Sequence, residues 1–190
     1  MDEEKIIKIV QDYNSLQDKR IANINQANEI LRLSKEAIFN YQRGNETDAG
    51  YALSKARDKI KSLNEITKMY PSLQAEGAYK ACLEEYLEAE LFGYFSKQGE
   101  IGLPKLPVNI EPAEYIDALC DFIGELARKA VDLAINKKHE DLRNMKEAII
   151  DLYAALVKAN PSGLVRSKLD EAKRHIRKIE DILLDVSLKQ

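Results

Sequence analysis

From Glu4 to about Tyr41 the chain runs without a single Gly or Pro, and apolar or tolerant residues recur in steps of three and four: Ile6, Val10, Tyr13, Leu16, Ile24, Ala27, Leu31, Ile38 and Tyr41. That spacing predicts one continuous amphipathic helix. At about 1.5 Å per residue it would reach ~55 Å, longer than a compact domain of this size needs. A helix of that length needs partners along its whole extent, which points to an elongated bundle that oligomerises.

The rest of the chain repeats the pattern. Arg43 to Asp48 breaks the first helix, with Gly44 as its stop and Thr47 or Asp48 opening a second, which runs to Met69 on Leu53, Ala56, Ile60, Leu63 and Ile66. Pro71 separates it from a third helix over about Leu73 to Ser96. Gly99, Gly102, Pro104 and Pro107 form the only substantial linker, read as a hinge between two halves. A fourth helix opens at Glu111-Pro112, where Pro suits the first turn. A fifth spans about His139 to Lys158, and a last one follows Asn160-Pro161-Ser162-Gly163 and runs on Val165, Leu169, Ala172, Ile176, Ile179, Leu183 and Val186. There is no strand candidate and no fixed-period repeat. With 190 residues, 8 Gly and 5 Pro, the expectation is one all-α domain over 1–190, an elongated antiparallel bundle of about six to seven helices.

Composition narrows the function classes. No apolar run approaches the ~20 residues of a membrane span, and Met1 to Lys8 is charged rather than leader-like, so a cytoplasmic protein with no membrane partner is expected. A net charge of −3 argues against indiscriminate nucleic-acid binding, because the phosphate backbone rewards clustered cations. Cys82 and Cys120 lack metal-binding spacing and read as small buried hydrophobes. His139 and His175 lack the Glu three residues ahead that marks di-iron bundles, and read as surface residues. No phosphate loop, nucleophile elbow or Cys/His nucleophile arrangement is present, so any chemistry falls to the acids.

Two acidic pairs stand out: Glu85 with Glu88 on the third helix, and Asp121 with Glu125 on the fourth. Each pair is three or four residues apart and shares a helix face. If the faces meet, four hard oxygen donors converge, a set suited to Mg²⁺ or Mn²⁺ and to phosphodiester hydrolysis. Glu85 lies on a face with Ala78, Ala81, Cys82, Ala89 and Phe92, with Glu88 at its edge, while the opposite side is apolar too. The competing reading is an interhelical salt bridge. Asp121 and Glu125 share a face with Glu114, Asp117, Arg128 and Asp132, the pattern of a solvated helix. Lys168, Lys173, Arg174, Arg177 and Lys178 give the last helix a basic side able to track a phosphate backbone, diluted by Asp170, Glu171 and Glu180.

The joint order of certain segments resembles the translin family, and within it the catalytic branch of translin-associated factor X more than translin. These are Glu85-Tyr86-Leu87-Glu88-Ala89 with Phe92-Gly93-Tyr94-Phe95; Glu114-Tyr115-Ile116 followed by Asp121-Phe122-Ile123-Gly124-Glu125-Leu126-Ala127-Arg128; and Lys178 to Leu188. The resemblance implies that Glu85, Glu88, Asp121 and Glu125 are active-site carboxylates, since translin itself lacks the glutamates of the first motif. It also implies an all-α protomer in a closed hollow oligomer of about eight subunits, and Mg²⁺-dependent endonuclease activity on single-stranded RNA, with single-stranded DNA a second ligand of the same kind. The chain differs from eukaryotic members in a short loop between the third and fourth helices and in lacking long tails; a self-sufficient homo-oligomer is expected. The other readings are a non-catalytic RNA- or DNA-binding assembly with structural acids, and a helical protein-interaction module.

Overall fold

A computed structural model describes residues 2–188. Six α-helices form within it: α1 (Glu3–Gln42), α2 (Glu46–Met69), α3 (Gly77–Gln98), α4 (Pro112–Ile135), α5 (His139–Val157) and α6 (Gly163–Leu188), with one short 3₁₀ helix at Pro71–Ala75. No strand occurs among the described residues, and no helix there is long and apolar enough to cross a membrane.

Local chemistry sets the ends. The Asp2 carboxylate caps α1 by accepting from the Lys5 backbone N–H, and acids crowd the first turns of α1, α2 and α5, where they complement the helix dipole. Gly44 and Gly99 follow α1 and α3 at φ +77° and +74°, a left-handed conformation that any Cβ would strain. Pro112 supplies the first turn of α4, where a missing N–H costs nothing. Leu73, expected in the third helix, lies instead in the 3₁₀ turn that Pro71 opens, and α3 starts only at Gly77.

In the bundle, α1 packs on α2 and α3, while α4 packs on α3, α5 and α6. α3 is therefore central: every residue from Tyr86 to Gly93 is buried. Phe92, Phe95 and Phe122 meet edge to face at 6.2 to 6.4 Å between centroids, tying α3 to α4. The segment between α3 and α4, read as a hinge, is a packed strap. Val108 is buried, Ile101, Leu106 and Ile110 lie on the core, and Gly102 passes so close to Tyr94 that a Cβ would stand 2.4 Å from the ring. Both cysteines are buried and free, as small core residues should be.

The amino-terminal half of α1 has a different status. Ile6, Ile7, Ile9, Val10, Tyr13 and Ile21 are all exposed, and the helix joins the core only from Asn23 onward. Its apolar stripe is left uncovered by the described residues.

Candidate active site: a carboxylate cavity between four helices

The two acidic pairs do meet. Glu85 and Glu88 from α3, Asp121 and Glu125 from α4, Lys35, Phe39 and Gln42 from α1, and Glu171 and His175 from α6 line one cavity of about 550 Å³. Asp121 and Glu125 are half-buried rather than solvated, because α1 and α6 cover the acidic face of α4. The solvated-face expectation for this pair is thereby corrected.

The four acids are held unequally. Glu85 is 3.6 Å from Lys35, Asp121 takes a 2.5 Å ion pair from Lys168, and Glu125 accepts from Arg128 at 2.8 Å and from the Gln42 amide. Glu88, only 7% exposed, has neither hydrogen bond nor ion pair among the described residues, and its carboxylate opens onto the cavity. An unpaired buried carboxylate is costly unless it is protonated or a cation joins it. Burial first, and then the charges of Glu85, Glu125 and Asp121, push the Glu88 carboxyl up to about 9, against a small opposing pull from Lys168. Burial also raises Glu85 and Glu125, with Lys35 and Arg128 respectively resisting.

A cation is the natural partner for such a set: four oxygen donors of one sign, one of them desolvated and unpaired. The donor chemistry fits Mg²⁺ or Mn²⁺. As placed, no three acid, His or Cys side chains among the described residues are close enough together to ligate one ion, since Lys35, Lys168, Arg128 and Gln42 each draw a carboxylate aside. The site is a convergent donor set rather than a preassembled coordination sphere.

The interhelical salt bridge considered for Glu85 is present, to Lys35 of α1 at 3.6 Å, but the tight buried one belongs to a neighbour. Glu90, 4% exposed, takes a two-pronged contact from Arg57 at 2.6 and 3.0 Å and a hydrogen bond from the Tyr86 hydroxyl. Arg57, Tyr86 and Glu90 form a closed, satisfied network on the far side of α3, away from the cavity.

His175, expected on the surface, lines the cavity instead. Gly124 makes room for it, since a Cβ there would stand 3.3 Å from Nε2. Burial and the nearby Lys178, Arg174 and Arg128 lower its pKa, with Glu171 opposing. The signal available in the sequence was its position beside core-facing Ile176, on the flank of the apolar stripe of α6. His139 is half-buried, with no partner for its Nδ1 among the described residues, rather than a surface residue. Lys168 also departs from expectation: it is committed to Asp121, whereas Lys173, Arg174, Arg177 and Lys178 remain exposed on α6.

The state of Glu88 gives a pH-dependent expectation. Between about pH 4.5 and about pH 9 the unfolded chain has released this proton while the native, metal-free protein keeps it. The unfolded state then binds fewer protons, so stability falls as pH rises through that window. Thermal melts in EDTA across it should show this decline in the wild type and a flatter profile in Glu88→Gln. Parallel profiles would mean that Glu88 is ionised throughout.

The site's relatives follow from comparison. A sequence model of the translin family matches residues 2–190. No curated protein matches the sequence significantly. Among solved structures, apo-NeC3PO superposes with a TM-score of 0.86 at 22% identity, covering 95% of this chain and 96% of that one. AfC3PO in complex with duplex RNA gives 0.86 at 18% identity, and AfC3PO alone gives 0.81 at 19%, each covering 98% of both chains. At these identities the likeness shows the shared all-α fold. The family match spans nearly the whole sequence, and the chain belongs to the translin family.

Proposed function

We propose that this protein is a metal-dependent endoribonuclease of the translin-associated factor X type, cutting single-stranded RNA, with Glu85, Glu88, Asp121 and Glu125 as its active-site carboxylates. The observation that carries the reading is Glu88: a buried glutamate without a protein partner, in a cavity ringed by three more acids. A purely structural acid would resemble Glu90, which is fully paired.

Mg²⁺ or Mn²⁺ held by the four acids would supply Lewis acidity at the scissile phosphate and a water activated near neutral pH. The chain's own residues set the stage. Lys35 and Arg128, both largely exposed, neutralise the incoming phosphate at the mouth, and in turning to it they release Glu85 and Glu125. Lys168 orients Asp121. Lys173, Arg174, Arg177 and Lys178 offer contacts to the backbone farther along α6. The exposed stripe from Ile6 to Ile21 supports assembly into a homo-oligomer, for which the family resemblance suggests a hollow shell of about eight copies. AfC3PO has been seen with duplex RNA, which supports nucleic acid as the class of ligand. A cytoplasmic location suits such a substrate.

A second reading draws on the pairing of the other three acids: a binding assembly without catalysis, in which Lys35, Lys168 and Arg128 keep the cavity closed to metal. Incubating labelled single-stranded RNA with the protein separates the two. Cleavage in Mg²⁺ that stops in EDTA supports the nuclease. Intact RNA in both, bound with an affinity that falls steeply with salt, supports the binding assembly.

A further inference from the structure

Among the described residues that line the carboxylate cavity, Phe39 is the only large apolar side chain left exposed, at 59%. Single exposed aromatics are common on protein surfaces, so exposure alone means little. Its placement means more. Phe39 stands four residues after Lys35 and three before Gln42 on α1, and those two side chains reach Glu85 and Glu125. The ring therefore shares the helix face that borders the acids. Arg43, one turn further on, holds its guanidinium carbon 5.3 Å from the ring centroid. One edge of the cavity thus presents a cation and a π face, and just outside the lining a second cation, Arg43, lies over one side of that ring.

Sites for single-stranded nucleic acid combine these same elements, cations that follow the backbone and aromatic faces on which unpaired bases stack. A base inside a duplex has no free face to offer, whereas an unpaired one does. We infer that Phe39 is a stacking platform for one unpaired nucleobase beside the phosphate at the carboxylate cavity, with Lys35 and Arg43 at the neighbouring backbone. The location of that phosphate rests on the nuclease reading. The platform makes the cavity selective for unpaired over duplex RNA while leaving base identity almost unread, since every base has a π face.

The test uses the full-length protein and single-stranded RNA carrying the fluorescent base aminopurine at successive positions. In EDTA, where binding is read without cleavage, the wild type should quench fluorescence at one or two positions. Phe39→Ala should lose that quenching and bind about 10-fold more weakly. Phe39→Trp should restore both, and duplex RNA of the same sequence should bind the wild type and Phe39→Ala alike. With Mg²⁺, Phe39→Ala should raise KM more than it lowers kcat. Equal quenching and affinity in Phe39→Ala would overturn the inference. So would an equal loss for duplex RNA, or a changed oligomer mass with quenching intact, which would place the ring in a subunit contact. A wild type that quenches through Phe39 but never cleaves refutes the nuclease reading and keeps the platform; one that cleaves with no Phe39 effect does the reverse.

Discussion

Replacing Glu88 or Asp121 with alanine is expected to abolish metal-dependent RNA cleavage while RNA binding persists or tightens. Each substitution deletes an oxygen donor for the metal and removes a negative charge that repels phosphate. If the metal contributes about 4 kcal/mol to the transition state, the loss is about 10³-fold in kcat. Stability should hold or rise in Glu88→Ala, because the carboxyl it removes is buried, unpaired and crowded by Glu85, Glu125 and Asp121. Gel assays under Mg²⁺ together with thermal melts in EDTA read both effects. A large fall in melting temperature with cleavage retained would assign these acids to structure.

Arg57→Ala is expected to behave in the opposite way, destabilising the fold by about 3 kcal/mol and lowering Tm by roughly 6 to 12 °C. Glu90 is almost fully buried, and without Arg57 only the Tyr86 hydroxyl would remain to satisfy it. Arg57 is itself partly exposed, which keeps the effect at the lower end of the range for broken buried pairs. Cleavage per folded molecule should be retained, because the network lies outside the carboxylate cavity. Chemical denaturation that found less than about 1 kcal/mol of loss would show that Glu90 repacks or becomes protonated at little cost.

The contrast between Glu88 and Glu90 shows where the sequence is legible and where it is not. Helical periodicity and capping residues placed all six α-helices to within a few residues, because those signals are local. The pattern assigns Leu73 to the third helix because nothing in it distinguishes a 3₁₀ turn after Pro71 from the first turn of an α-helix. The strap between α3 and α4 looked like a hinge because its Gly and Pro content is visible, while the packing of Val108 and Gly102 depends on distant partners.

The site divides in the same way. Both acidic pairs are legible as pairs, and the structure brings the four side chains to the lining of one cavity. Their environments were not legible. A helical wheel put Glu88 at the edge of its face and made Glu85 the unusual acid, yet Glu88 is the one enclosed, since α1 and α4 close over it. Nothing in the pattern marks Glu90, which lies one turn beyond Tyr86 in a stretch buried on every side. The periodicity of α6 alone does not place His175 or Lys168. Their roles emerge only when α6 lies against α4, where Gly124 and Asp121 meet them.

The proposed binding of a divalent cation by the four carboxylates is tested most directly by Mn²⁺ binding followed by electron paramagnetic resonance. Wild-type protein should bind Mn²⁺ saturably and in competition with Mg²⁺, whereas Glu88→Ala and Asp121→Ala should each weaken binding by about 10-fold or more, with Glu90→Gln close to wild type. Equal Mn²⁺ affinity in the wild type and in both alanine variants would contradict the account.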